Sequence, residues 1–114
     1  MKFGTKVIHS GLETDPTTGA IITPIYQTST YVQKKPGDNM GFEYSRTKNP
    51  TRSALEKSIA SLENGDFAIC YSSGMGAADA IIKLLNPGDT VISNNDIYGG
   101  TYRMFEEVFA NFGI

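Results

Sequence analysis

Apolar residues recur at helical and strand-like spacings in the second half of the chain, whereas the first half keeps neither spacing for long. Leu55, Ile59 and Leu62 repeat at helical intervals between Asn49, which can cap, and Asn64-Gly65, which can stop a helix. With Pro50 suited to a first turn, this predicts a helix over roughly 50–63. Asp66 to Tyr71 is a short apolar run ending in Ser72-Ser73-Gly74, the pattern of a buried strand followed by a cap. In GMGAADAIIKLL, Met75, Ala78, Ile81, Ile82 and Leu85 fall near one helical face, and Asn86-Pro87-Gly88 ends it. Thr90 to Ser93 repeats the strand signal. Tyr98-Gly99-Gly100 then forms a turn before a helix marked by Tyr102, Phe105, Val108, Phe109 and Phe112, closed by Asn111 and Gly113. Ile114 is expected to open a further strand. Alternating helices and short strands imply a right-handed parallel α/β unit, because parallel strands need crossover helices.

Residues 1–49 differ. Turn signals crowd them: Ser10-Gly11, Asp15-Pro16, Thr18-Gly19, Thr23-Pro24 and Pro36-Gly37-Asp38-Asn39. The runs between, such as Ala20 to Ile25 and Thr28 to Gln33, are too short and broken for a core sheet. So long an irregular stretch is either a flexible tail or an arm that packs on another part of the whole protein. The chain therefore divides into an arm at 1–49 and the incomplete start of an α/β domain at 50–114.

Composition narrows the partners. Hydrophobic residues make up 39% of the 114, as in a globular protein, and 10 basic against 12 acidic residues give a formal charge of -2. That balance provides no electrostatic reason to expect nucleic acid or an acidic membrane as a partner. No apolar run follows Lys2 and Lys6, so a secretory signal is not expected, and no stretch is long enough to span a bilayer. Cytosolic residence is the expectation. The lone Cys70, within FAICY, reads as a buried small hydrophobe rather than a redox centre, and it lacks spacing partners for a metal.

Three segments carry candidate chemistry. Tyr71-Ser72-Ser73-Gly74-Met75-Gly76 joins a predicted strand to a helix start, where unpaired N–H groups and partial positive charge can hold an anion. Ser73 could donate its hydroxyl there, alongside the N–H groups of Gly74 and Met75, although Ser-Ser-Gly before a helix is also an ordinary cap. The segment matches neither GxxxxGK[ST] nor GxGxxG, which argues against a nucleotide. In FEYSRTKNPT, Arg46 can bind phosphate through two parallel hydrogen bonds and Tyr44 can add a third donor. Alternation of Phe42, Tyr44 and Arg46 would set them along one side of an extended segment; a routine solvent-facing edge is the competing reading. Lys48 is the weaker candidate, since Asn49-Pro50 should turn it into the helix start. Finally, Tyr98 follows the second strand, where open α/β sheets usually bind ligands, and could stack on a planar ring beside Gly99 and Gly100. A structural tyrosine is the alternative. Jointly the three segments suit a flat, phosphorylated aromatic cofactor.

In order, KVIHSG, ITPIYQTSTY, YSRTKNPTR, LEKSIASLENG, YSSGMGAADAII and NDIYGGTYRMF cover nearly the whole chain. Together they resemble the pyridoxal-phosphate enzymes of cysteine and methionine metabolism: cystathionine gamma-synthase, cystathionine gamma-lyase, cystathionine beta-lyase and methionine gamma-lyase. The resemblance implies a fold-type I, aminotransferase-like large domain preceded by an extended arm, with pyridoxal 5'-phosphate as cofactor. It implies that Tyr44 and Arg46 reach across a subunit boundary to the phosphate of a neighbouring site. Gly74 and Met75 match the backbone phosphate cradle, and Tyr98 the tyrosine that stacks over the pyridine and assists proton transfer near the substrate. The implied assembly is a homotetramer of catalytic dimers sharing active sites, acting on a sulfur amino acid.

The same resemblance implies that the cofactor-bearing lysine, the aspartate for the pyridine nitrogen and the arginine for the substrate carboxylate lie beyond Ile114. None of Lys2, Lys6, Lys34, Lys35, Lys48, Lys57 or Lys83 matches that lysine. These 114 residues alone are therefore expected to be inactive and prone to aggregate. At Gly100 the cysteine of methionine gamma-lyase's corresponding motif is missing, which lowers that assignment without separating the other two; gamma-elimination on cystathionine is the leading expectation and gamma-replacement the alternative. A noncatalytic oligomerisation or binding module is the reading from a different class.

Overall fold

The computed structural model describes residues 1–114, which divide into two compact units, Met1–Cys70 and Tyr71–Ile114. Local regularity changes near residue 50, but compactness divides the chain later, because the helix that begins there packs with the arm.

In the first unit, α1 (Phe3–His9) lies against α2 (Pro50–Glu63). The boundaries of α2 follow its chemistry. Asn49 Oδ1 accepts from the N–H groups of Thr51 at 2.9 Å and Arg52 at 3.4 Å. Pro50 occupies the first turn, where its missing N–H costs nothing, and Asn64 ends the helix in the left-handed region at φ 55°. Lys6 of α1 donates from Nζ to Ser61 O at 2.8 Å, placing a cation on an otherwise open helix C-terminus. At Gly11 the chain comes so close to α2 that a Cβ would stand 2.5 Å from the Lys57 carbonyl carbon. Its φ of +74° likewise favours glycine. The expected apolar face of α2 is only partly covered: Ala60 is buried and Leu62 half-buried, whereas Leu55 and Ile59 are exposed.

The arm is irregular but not loose. Thr51 Oγ1 donates to Pro24 O at 3.2 Å and accepts from Tyr26 N at 2.9 Å. Asn49 Nδ2 donates to Tyr26 O and to Ser45 Oγ, each at 3.0 Å. A short antiparallel pairing centred on Thr30 and Tyr44 includes Tyr31 N to Glu43 O at 3.1 Å and Ser45 N to Ser29 O at 2.8 Å. Two features escaped the sequence reading: α1, which has no side-chain cap at its start, and the burial of Asp15. Asp15 Oδ2 accepts from Thr18 Oγ1 at 2.6 Å, which holds its carboxyl below the usual carboxylate range.

The second unit contains α3 (Gly74–Ile82) and a longer helical run whose winding changes along its length. It starts as α4 (Gly99–Arg103), loosens to a π-turn at Met104–Val108 and tightens to a 3-10 turn at Phe109–Phe112. This corrects the expected uniform face of Tyr102, Phe105, Val108, Phe109 and Phe112. In a π-turn, residues five apart share a face, and here the Phe109 N–H bonds to Met104 O. Met104 and Phe109 accordingly join Ile82 in the core, with Leu85, Val91 and Ile114 packed around them, while Tyr102 and Phe112 are exposed. The α3 helix stops earlier than its apolar pattern suggests, and Ile81 is exposed although Ile82 is buried.

The expected parallel sheet is not formed within this chain, whose bridges are isolated and antiparallel. Residues 66–71 and 90–93 pair with no strand, and a strand requires a neighbour for its backbone groups. The first segment keeps a period of two: Ala68 and Cys70 are half-buried, whereas Phe67, Ile69 and Tyr71 are exposed. No helix is long and apolar enough to cross a membrane.

Candidate functional site

The first unit carries Tyr44 and Arg46. Three donors converge on Tyr44 O: Lys48 N at 2.9 Å, Thr47 N at 3.1 Å and Thr47 Oγ1 at 2.7 Å. They bend the chain immediately after the antiparallel pair, so Arg46 sits on a turn rather than further along an extended segment. The turn still brings the predicted partners together. Arg46 Nη2 donates to Tyr44 Oη at 2.8 Å, and the guanidinium carbon stands 5.2 Å from the ring centroid. Because Tyr44 accepts that bond, its own phenolic hydrogen stays available, and Arg46 keeps further N–H groups on an exposed side chain. Phe42 belongs elsewhere, beside Tyr31 at 5.6 Å and under the Lys48 ammonium at 5.3 Å.

Two clefts in this unit differ in character. The larger, about 570 Å³, is lined by apolar groups such as Tyr31, Val32, Met40 and Phe42, and includes neither Tyr44 nor Arg46. The smaller, about 330 Å³, is bordered by Arg46, Lys48 and Arg52 with Glu56. Three cations against one carboxylate give the smaller cleft a net positive lining that suits an anion, although Tyr44 does not border it. Cys70 also borders it, half-buried and unpaired.

The second unit carries Ser73, Gly74, Met75 and Tyr98. Ser73 is the N-cap of α3: its backbone is extended and its Oγ accepts from Gly76 N at 3.0 Å. The ordinary-cap reading therefore holds, and the hydroxyl hydrogen remains free to donate. The N–H groups of Gly74 and Met75 make no hydrogen bond within the chain, as the geometry of a helix start requires. A Cβ on Gly74 would meet nothing within 4 Å, so the space in front of these donors is open. An anionic group fits this cradle, since it satisfies orphan donors at the positive end of a helix.

Tyr98 precedes α4 and is 73% exposed. Gly100 brings it together with Met75: a Cβ there would lie 2.6 Å from Tyr98 Cε1 and 3.1 Å from Met75 Sδ. Thr101 Oγ1 reaches the same sulfur at 3.7 Å. The tyrosine ring and the second residue of the cradle thus meet over a glycine with no room for a side chain. A phosphorylated aromatic ring is chemically compatible with an exposed tyrosine and orphan N–H donors in the same unit.

Sequence reading missed Arg52 and Glu56. Their separation of four residues on one helix and their position beside the Asn49 cap were the available signals.

Residues 4–114 match the family described as Cys/Met metabolism PLP-dependent enzyme. Among curated relatives, a cystathionine beta-lyase of Coxiella burnetii is 54% identical over 104 residues, covering 91% of this chain and 27% of its own length. A protein of Herpetosiphon aurantiacus named "Probable cystathionine gamma-synthase" is 49% identical over 112 residues, covering 98% of this chain and 35% of its own. Among solved structures, cystathionine gamma-lyase from Lactobacillus plantarum complexed with L-serine superposes with a TM-score of 0.87 at 48% identity. That similarity covers 99% of this chain and 29% of the other. The chain thus spans about a third or less of the length of these relatives.

Proposed function

Since the chain belongs to the Cys/Met metabolism family of pyridoxal-phosphate-dependent enzymes, we propose that the whole protein acts on the carbon–sulfur chemistry of cystathionine or an activated homoserine, with gamma-elimination from cystathionine as its reaction. The observation that carries this reading is the meeting of Tyr98 and Met75 over Gly100, next to the free N–H groups at the start of α3.

The residues divide the work as follows. Gly74 and Met75 bind the cofactor phosphate through backbone N–H groups, and the Ser73 hydroxyl adds a donor. The Tyr44 hydroxyl and the Arg46 guanidinium reach the phosphate of a neighbouring subunit, which gives the arm its role in assembly. Tyr98 would hold the cofactor ring by stacking, keep water from that face and move a proton near the substrate through its hydroxyl. When bound, pyridoxal phosphate supplies an electron sink for charge developing on the substrate carbon. The sequences at 66–71 and 90–93 would join a parallel fold-type I sheet completed by the rest of the protein, which we place in the cytosol as a homotetramer with shared sites.

Adding pyridoxal phosphate to the purified whole protein should produce the visible absorbance band of lysine-bound cofactor. Cystathionine and water should then yield cysteine, 2-oxobutyrate and ammonia. A folded protein that develops no band would overturn the enzyme assignment. Formation of cystathionine from an activated homoserine and cysteine, without cleavage, would instead establish gamma-replacement, the reading favoured by the Herpetosiphon relative. Homocysteine and pyruvate as products would establish beta-elimination.

A further inference from the structure

Arg52 occupies the first turn of α2, where a cation opposes the helix dipole. Its contacts explain why a cation sits there. Nη1 donates to Ser45 O at 3.1 Å and more weakly to Arg46 O at 3.4 Å, and Nη2 donates to Thr47 O at 2.7 Å. One planar guanidinium therefore gathers three consecutive carbonyls, those of the turn that presents Arg46. Glu56 holds the guanidinium from behind, 3.5 Å from Nε. The same Glu56 oxygen accepts from Cys70 N at 3.0 Å, tying the clamp to the end of the 66–70 segment.

From this arrangement we infer that Arg52 is a positioning residue for phosphate recognition: it holds the 45–47 turn so that Tyr44 and Arg46 present their donors together. This inference rests on the proposed role of those two residues. Apart from the Glu56 carboxylate, Arg52 contacts backbone carbonyls, and its N–H groups are largely committed to them, so its effect on an anion is exerted through Arg46. Lysine cannot replace it fully. An ammonium is a point donor and cannot hold three carbonyls in the plane of a fork.

The test compares two ligands that differ only in the phosphate. Dissociation constants for pyridoxal phosphate and for unphosphorylated pyridoxal are read from the visible absorbance band of the whole protein, as wild type and as Arg46→Ala, Arg52→Ala and Arg52→Lys. Circular dichroism reports folding of each. We expect Arg46→Ala and Arg52→Ala both to reduce the preference for the phosphorylated ligand, the latter roughly tenfold, with binding of pyridoxal little changed. Arg52→Lys should recover part of that preference. Equal weakening of both ligands by Arg52→Ala would show a general structural role and overturn the inference. So would loss of preference in Arg46→Ala but not in Arg52→Ala. If Arg52→Ala does not fold, Arg52→Lys decides: wild-type preference overturns the clamp, and selective loss supports it. A wild-type protein that binds neither ligand refutes the cofactor reading itself, and wild-type preference in Arg46→Ala refutes the role of the arm.

Discussion

Gly100→Ala separates the stability of the second unit from the placement of Tyr98. Carbon atoms in contact settle at about 3.6 Å, whereas the new methyl would start 2.6 Å from Tyr98 Cε1. The ring must therefore retreat by about 1 Å, and Met75 Sδ at 3.1 Å must give by a few tenths of that. Retreat is available, because Tyr98 is 73% exposed. Moving a side chain off its rotamer costs about 0.5–1.5 kcal/mol, and alanine regains about 0.5–1 kcal/mol over glycine inside a helix. The two nearly cancel. The melting temperature of the whole protein should thus move little, while turnover falls. A 1 Å misplacement of a group at the chemistry costs on the order of 100-fold, so kcat/KM on cystathionine should drop by roughly that factor and the cofactor's absorbance band should shift. Wild-type turnover with an unchanged spectrum would refute the argument, since Tyr98 would then not be held by the space that Gly100 leaves.

Asn49→Ala should lower stability by roughly 2 kcal/mol in denaturant melts, because the cap acceptor and the Nδ2 bonds to Tyr26 O and Ser45 Oγ are lost together. Asn49→Ser keeps the cap acceptor and should lose about half as much; equality with wild type would show that the Nδ2 bonds to Tyr26 O and Ser45 Oγ contribute nothing. Gly11→Ala should cost more than about 2 kcal/mol, combining the left-handed backbone penalty with a Cβ pressed into the α2 backbone; a melt within error of wild type would contradict this. For Asp15, the folded carboxyl binds its proton less readily than the unfolded one, so its contribution is complete above the ordinary value near about 4 and fades as pH falls through the lower folded value. Thr18→Val should therefore destabilise at pH 5.5 and progressively less towards pH 2.5, and a pH-independent difference in denaturation midpoint would remove Asp15 as the cause.

What could be read beforehand was local. The α2 helix was legible at both ends because its start and stop are side-chain and backbone events within a few residues of Asn49 and Asn64. The Ser73 cap was legible for the same reason, and so was the pairing of Tyr44 with Arg46 two residues on. The turn between them was not, because it depends on Arg52 collecting carbonyls from the preceding segment. The π-turn at Met104–Val108 was also hidden, since α-helical periodicity cannot register a face shared by residues five apart. The expected parallel strand pairing is not formed within these residues. An apolar run of five or six residues predicts a preference for extended structure, whereas a sheet also needs a neighbour at the right height, and that neighbour is supplied by other parts of a fold. Meeting of Tyr98 and Met75, 23 positions apart, likewise came from packing around Gly100 and not from any spacing in the sequence.

The alternation at 66–71 bears on how such a polypeptide survives its own synthesis. Phe67, Ile69 and Tyr71 form an oily ribbon whose main-chain groups have no ladder to join. Until a neighbouring strand is supplied, that edge is open to pairing between molecules, so chaperone access during synthesis bears on the yield of usable protein.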